Sequence, residues 1–286
     1  MKRNFIEKLM KAIFIFSAMT SIVAIILICI FIFNGGLPFI KEYGLKNFLL
    51  GQQWKPSNSP PSYGILPMIM GSLYVTIGAV IIGVPIGIFT ATYLAKFSNK
   101  KLYKFLKPCI NLMSGIPSII YGFFALTTIV PIIRNIFGGT GMNIITASIL
   151  LGIMILPTII SISEASIRAV PESYYEGSIA LGASHERSIM AIVLPAAKSG
   201  VISSIILGIG RALGETMAVI LVTGNQARMP AGLTKGVRTL TTNIVIEMTY
   251  AADTHRQALI ATALVLFVFI LLINIIFSIV KRRTLN

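Results

Sequence analysis

Arg211 and Glu215 interrupt a run, residues 199–224, that is otherwise apolar and glycine-rich, and a charged solute is what such a pair could act on. Read as one helix, the run sets them four residues apart on one face, where their side chains can meet. Counted from Ser199 at about 1.5 Å per residue, they lie roughly 18 and 24 Å along the axis. That depth is well inside a bilayer core, where a charge is costly unless it is paired or lines a polar path. A guanidinium suits the tetrahedral oxygens of an oxyanion. Glu215 would offset part of its charge so that the anion can leave again, and Thr216 adds a hydroxyl. The other reading is a local ion pair that only tightens a helix bundle. No catalytic or metal set accompanies them. Cys29 and Cys109 fall within or beside apolar runs, and His185 and His255 are read as isolated, solvated loop residues.

A second constellation lies in residues 164–198. Pro171 fits the first turn of a helix, and Glu172 and Glu176 follow near its positive end. Tyr174, Ser178 and Leu181 then share one face, and Gly182 can close the helix in the left-handed conformation. Ser184 can cap a second helix running to Leu194 and ended by Pro195. A short helical hairpin carrying apolar residues into water needs a partner surface to cover them.

The elements that position these residues follow from composition. The chain is 55% hydrophobic and 12% charged, with a mean hydropathy of +0.87 over 286 residues. Its apolar residues gather in runs of the roughly 20 residues needed to cross a bilayer as helix, namely 13–33, 68–95, 109–133, 144–163, 199–224 and 258–280. Six membrane helices are expected. The first is read as an uncleaved anchor, because its run is too long for a signal peptide and Asn34-Gly35-Gly36-Leu37-Pro38 reads as a turn. Residues 34–66, with the sole tryptophan Trp54, form either a small interfacial element or a solvated loop. Residues 228–256 are expected to hold a short helix across one mouth of the bundle. Gly83 with Gly87, and Gly210 with Gly214, have the spacing that lets helix backbones approach closely.

The net charge of +15 is a topology signal and not a nucleic-acid footprint. Most of the 24 basic residues fall on the side that carries both termini and residues 164–198, which makes that side cytoplasmic. No phosphate-binding loop of the Gly-x-x-x-x-Gly-Lys-Ser/Thr kind occurs, so ATP chemistry cannot belong to this chain through that motif.

Glu176, Gly182, Ile192, Leu194 and Pro195 stand at the spacing of the loop in ABC importer permeases where Glu-Ala-Ala is followed by Gly and then Ile-x-Leu-Pro. Gly177 and Ser178 replace the two alanines. The run from Gly210 to Val219, with Arg211-Ala212-Leu213-Gly214-Glu215-Thr216-Met217-Ala218, resembles the signature of the phosphate-specific importer and its PstC-type permeases. Tyr63-Gly64-Ile65-Leu66-Pro67 and Gly115-Ile116-Pro117-Ser118-Ile119-Ile120-Tyr121-Gly122 resemble the same family. The resemblance implies an all-α membrane protein with the type I ABC importer permease fold: an anchor helix and external segment at 1–66, then a five-helix core at 67–286. It implies a PstA-type permease subunit, an ATPase dimer carrying ATP and Mg, and an extracytoplasmic phosphate-binding protein as partners, with inorganic phosphate as cargo. Glu176, Gly177, Ser178, Gly182, Ile192, Leu194 and Pro195 would contact the ATPase, and Arg211, Glu215 and Thr216 would line the path. A permease for sulfate or molybdate, or an ion-coupled secondary transporter, are the competing expectations; the single carboxylate inside the spans, Glu215, speaks against the last.

Overall fold

Where water is excluded, only a helix pairs every backbone N–H and C=O within its own segment, and the apolar runs fold accordingly. The computed structural model describes the backbone of residues 2–285 and the side chains of residues 7–279, so the basic residues 2, 3 and 281–283 of the charge argument lie outside the described side chains. Helix α1 (Lys2–Tyr43) leads to the short α2 (Leu45–Leu50) and a two-stranded antiparallel hairpin, β1 (Trp54–Lys55) with β2 (Ser62–Tyr63). Helix α3 (Leu66–Thr92) ends in a π-turn, Tyr93–Phe97. Then come α4 (Lys100–Gly115), α5 (Ser118–Phe124) continued through a π-turn into α6 (Val130–Phe137), and α7 (Ile144–Arg168). Helices α8 (Glu172–Ala180), α9 (His185–Ser188) and α10 (Leu194–Ala196) precede α11 (Lys198–Gly214) and α12 (Met217–Val222). A short α13 (Leu240–Met248) and a long α14 (Asp253–Leu285) complete the chain.

Among the described residues, five helices are long and apolar enough to cross a membrane, and a sixth is counted if the pair 185–196 and 198–214, bent by 69°, is one span. The chain is a multi-pass membrane protein, in keeping with the six apolar runs. Its centre is the packing of α3 on α7, made possible by glycine. A Cβ on Gly83 would lie 2.8 Å from the Gly152 carbonyl oxygen, and one on Gly87 would lie 2.7 Å from Ile159. The second expected glycine pair behaves differently: Gly210 and Gly214 face open space, and Gly208 is the residue of α11 that meets Ile159.

Several boundaries depart from expectation. The turn anticipated at residues 34–38 is helix, because α1 runs on to Tyr43 with Pro38 inside it. Gly35 and Gly36 serve contact there: their missing side chains admit Ile260 and Ala261 of α14. Trp54 is not in a solvated loop: it is buried with Phe39, Phe48 and Tyr63 in the small element made by α2 and the β1–β2 hairpin. The third span starts at Ser118 and not near Cys109, since Ile116 and Pro117 are extended and break the helix. The helical path of the second arm runs one residue past Pro195, to Ala196, and then bends by 69° into α11. The π-turn Ile189–Val193 ends two positions before Pro195, as Ala125–Ile129 ends two positions before Pro131. A widened turn accommodates a residue that has no N–H to give the carbonyl four back. The expected short helix in 228–256 is present as α13, opened by a capping box between Thr239 and Thr242.

Candidate functional site

The run 199–224 is two helices, and the break falls on its charged residues. Helix α11 stops at Gly214; Glu215 is extended (ψ 136°), and α12 restarts at Met217. Arg211 and Glu215 are therefore not paired: among the described residues no ion pair joins them, and each has its own partner. Arg211 is half-buried and donates from Nη1 to Thr158 Oγ1 of α7 at 3.3 Å. Glu215 turns its Oε1 onto the exposed end of α12, accepting from the backbone N–H groups of Thr216 (3.1 Å) and Ala218 (3.2 Å). Its own carbonyl accepts from Thr241 Oγ1 of the α13 segment at 3.0 Å. The carboxylate thus satisfies donors that a helix start leaves without partners. The Thr216 hydroxyl is engaged as well, donating to the Gly214 carbonyl at 3.2 Å.

A second break stands beside the first. Helix α5 starts after Pro117, and its Tyr121 hydroxyl donates back to the Met113 carbonyl at 2.8 Å. Gly122 lets α5 lie against α12, since a Cβ there would be 2.8 Å from Ala218 Cα. Two interrupted helices are packed together next to a cationic side chain. In a membrane, such irregular backbone is tolerated only inside protein or along a water-filled cavity.

The segment 171–196 forms the helical hairpin that the spacing requires. Pro171 precedes α8 as its N-cap, Gly182 takes the left-handed conformation at φ 86°, and Ser184 Oγ accepts from Arg187 N at 3.3 Å. Hydrogen bonds from its own backbone and from Ser184 hold the exposed Glu186 carboxyl below the usual glutamate range. The two arms are tied by Ser178 Oγ to Ser188 Oγ and by the Tyr175 hydroxyl to His185 Nδ1, both 2.8 Å. His185 is therefore not a free, solvated residue. Helix α8 has no buried residue, and Leu181 at its end is 91% exposed. Tyr174, Gly177, Ser178, Leu181, Gly182 and Ile192 line one open groove, while Glu176 and Pro195 are exposed on the same hairpin and Leu194 is half-buried. Gly177 and Gly182 have nothing within 4 Å of a would-be Cβ. The groove thus exposes Tyr174, Leu181 and Ile192 beside small and polar residues.

Two charge clusters were not foreseen. Glu164, 3% exposed, receives Lys107 Nζ at 2.6 Å, Arg168 Nε at 2.5 Å and the Tyr103 hydroxyl at 3.0 Å. Arg168 also donates to the Leu94 carbonyl at 2.8 Å, one of the groups at the π-turn that closes α3. Only the four-residue spacing of Glu164 and Arg168 hints at this in the sequence. Glu247 gathers Trp54 Nε1 (2.8 Å), Arg238 Nη1 (2.5 Å) and His255 Nε2 (2.8 Å), so His255 too is tied down. Trp54 and Glu247 are 193 residues apart, and no local pattern reveals such a pairing.

Comparison with known proteins gives the context. The family model for the inner membrane component of binding-protein-dependent transport systems matches residues 83–286. A probable ABC transporter permease protein, YqgH, of Bacillus subtilis is 38% identical over 270 residues, 91% of this chain and 87% of that protein. The phosphate transport system permease protein PstC of Mesorhizobium japonicum is 32% identical, covering 91% of this chain and 86% of its own. A probable PstC of Methanocaldococcus jannaschii is 32% identical over 96% of both chains. Among solved structures, a bacterial alginate ABC transporter aligns over 94% of both chains with a TM-score of 0.64 at 18% identity. An inward-facing MetNI methionine transporter aligns over 77% of this chain with a TM-score of 0.61 at 19% identity. At such identities the structural matches speak for the fold alone.

Proposed function

Since this chain belongs to the inner membrane components of binding-protein-dependent transport systems, and among them to the PstC-type permeases, we propose that it carries inorganic phosphate across the cytoplasmic membrane as one half of an ATP-driven importer. The observation that carries this reading is Arg211: a half-buried guanidinium beside two adjoining helix breaks, in a chain whose relatives are named as phosphate permeases. A guanidinium recognises tetrahedral oxygens, and one hydrogen bond to Thr158 leaves it donors for an anion in transit. Glu215 and Thr216 hold the break through which that anion passes.

The hairpin 171–196 supplies the contact with the motor. Its uncovered groove fits an ATPase subunit, with Glu176, Gly177, Ser178, Gly182, Ile192, Leu194 and Pro195 at the contact. ATP and Mg are bound by an ATPase dimer, and this chain binds no cofactor of its own. The second half of the pathway is a PstA-type permease, and an extracytoplasmic binding protein delivers phosphate to the mouth bordered by α13. Residues 1–66 are an anchor with an external segment, and residues 67–286 form the permease core. The basic residues Lys96, Lys100, Lys101, Lys104 and Arg168 support a cytoplasmic position for the hairpin and both termini.

The test is ATP hydrolysis by the reconstituted assembly, stimulated by binding protein loaded with phosphate, sulfate or molybdate. Stimulation by phosphate alone is expected. Stimulation by another oxyanion would keep the permease and change its cargo.

A further inference from the structure

The hairpin 171–196 touches the rest of the chain at a place that neither of its covalent connections provides. Beyond the links to α7 and α11, it meets the π-turn that ends α3. Lys96 Nζ of that turn lies 3.0 Å from Glu172 Oε2 at the start of α8 and 5.8 Å from the centre of the Tyr175 ring. Its neighbour Phe97 sets its ring edge-to-face on His185 of α9 at 4.9 Å, and His185 is the residue that Tyr175 holds by hydrogen bond. Two consecutive side chains at the end of α3 therefore grip both arms of the hairpin.

The grip is selective in its chemistry. Lys96 is 14% exposed and Glu172 60%, so as an isolated surface ion pair it would add little to stability. The cation over the Tyr175 ring and the aromatic pair beside it give the contact shape as well as charge. The α3 end is itself held firmly, because Arg168 donates to the Leu94 carbonyl while Glu164 binds Arg168 and Lys107. The inner ends of α3, α4 and α7 are thus joined as one body through a buried carboxylate. Helix α8 has no fully buried residue, and its Tyr175 packs against the cluster that holds Leu94 of the π-turn and Val193 of the second arm. A shift of α8 would strain Lys96 and Phe97 directly.

We propose that Lys96 and Phe97 are positioning residues of the transport cycle, forming a third attachment through which displacement of the hairpin moves the inner end of α3. The inference rests on the importer reading, and makes α3 a driven element instead of a passive neighbour of α7. Coupling between sites requires a contact whose loss changes the linked equilibrium, and a charge exchange across Lys96 and Glu172 isolates it.

The experiment uses the complete assembly in proteoliposomes and measures phosphate moved per ATP hydrolysed. Lys96→Glu and Glu172→Lys are each expected to lower that ratio on the order of three- to tenfold. The double variant Lys96→Glu/Glu172→Lys is expected to recover that ratio in part, because it restores the ion pair but not the cation over Tyr175; a general loss of stability would give no such rescue. Phe97→Ala lowers the ratio without rescue by the exchanged pair. An unchanged ratio in both single variants, or no recovery in the double, overturns the inference while wild-type stimulation by phosphate still stands. Absence of stimulation in the wild-type assembly overturns the importer reading, and this inference with it.

Discussion

Arg211 and Glu215 show how residue type can be read more safely than residue pairing. Their spacing suggested a salt bridge on one face, but α11 ends between them and the Glu215 carboxylate caps α12. The run Gly214-Glu215-Thr216 holds no proline, and nothing local announces a break; the hydroxyl of Thr241, from another element, completes it. The two residues therefore fail in different ways when changed. Arg211→Gln is expected to cut phosphate uptake tenfold or more, since a hydrogen bond to a charged group is worth about 1.5–3 kcal/mol, while assembly with the ATPase is retained. Uptake at the wild-type rate would remove Arg211 from the path. Glu215→Ala loses the cap of α12 at a cost of about 1 kcal/mol, visible as a lowered melting temperature in detergent. Glu215→Gln keeps an acceptor oxygen and is expected to lose less.

Helices were legible where their signal was local. Run length located the spans, and Gly182 and Ser184 marked the turn of the hairpin because a left-handed residue and a side-chain cap are single-residue decisions. Glycines within helices were ambiguous, because the same spacing serves close packing at Gly83 and Gly87 and open space at Gly210 and Gly214. Asn34–Pro38 misled for a related reason: glycines that suit a turn equally admit a crossing helix. The hairpin allows a test of the two roles of glycine. Gly177 lies within α8 with nothing near it, so Gly177→Ala is expected to stabilise by up to about 1 kcal/mol through helix propensity. Gly182 has φ 86°, so Gly182→Ala is expected to cost about 1–2 kcal/mol. Thermal unfolding should move in opposite directions for the two variants. Equal shifts of one sign would contradict the conformational assignment.

At the scale of the molecule, what joins α1 and the β-hairpin to α13 and α14 is polar as well as apolar. Phe39, Phe48 and Tyr63 pack with Leu259 and Ala261 of α14. The fixed point is Glu247, which holds Trp54 from the β-hairpin, Arg238 from the approach to α13 and His255 from α14. These contacts cross most of the sequence, which is why composition could place Trp54 only at an interface or in a loop. Glu247 is almost fully enclosed and Arg238 nearly so, with side-chain exposures of 7% and 15%. Removing one partner of such a pair strands the other, at a cost of about 3–5 kcal/mol. Trp54→Phe removes a single donor and keeps an aromatic ring, at a cost of about 1 kcal/mol. Glu247→Ala should therefore lower the melting temperature well beyond Trp54→Phe. It should also open the exposed stretch 57–61 to protease cleavage in the folded protein, while the largely buried helix α7 stays protected. Were the two variants equally stable and equally resistant, α1 and the β-hairpin would be held by their aromatic cluster alone, and Glu247 would be a bystander to that joint.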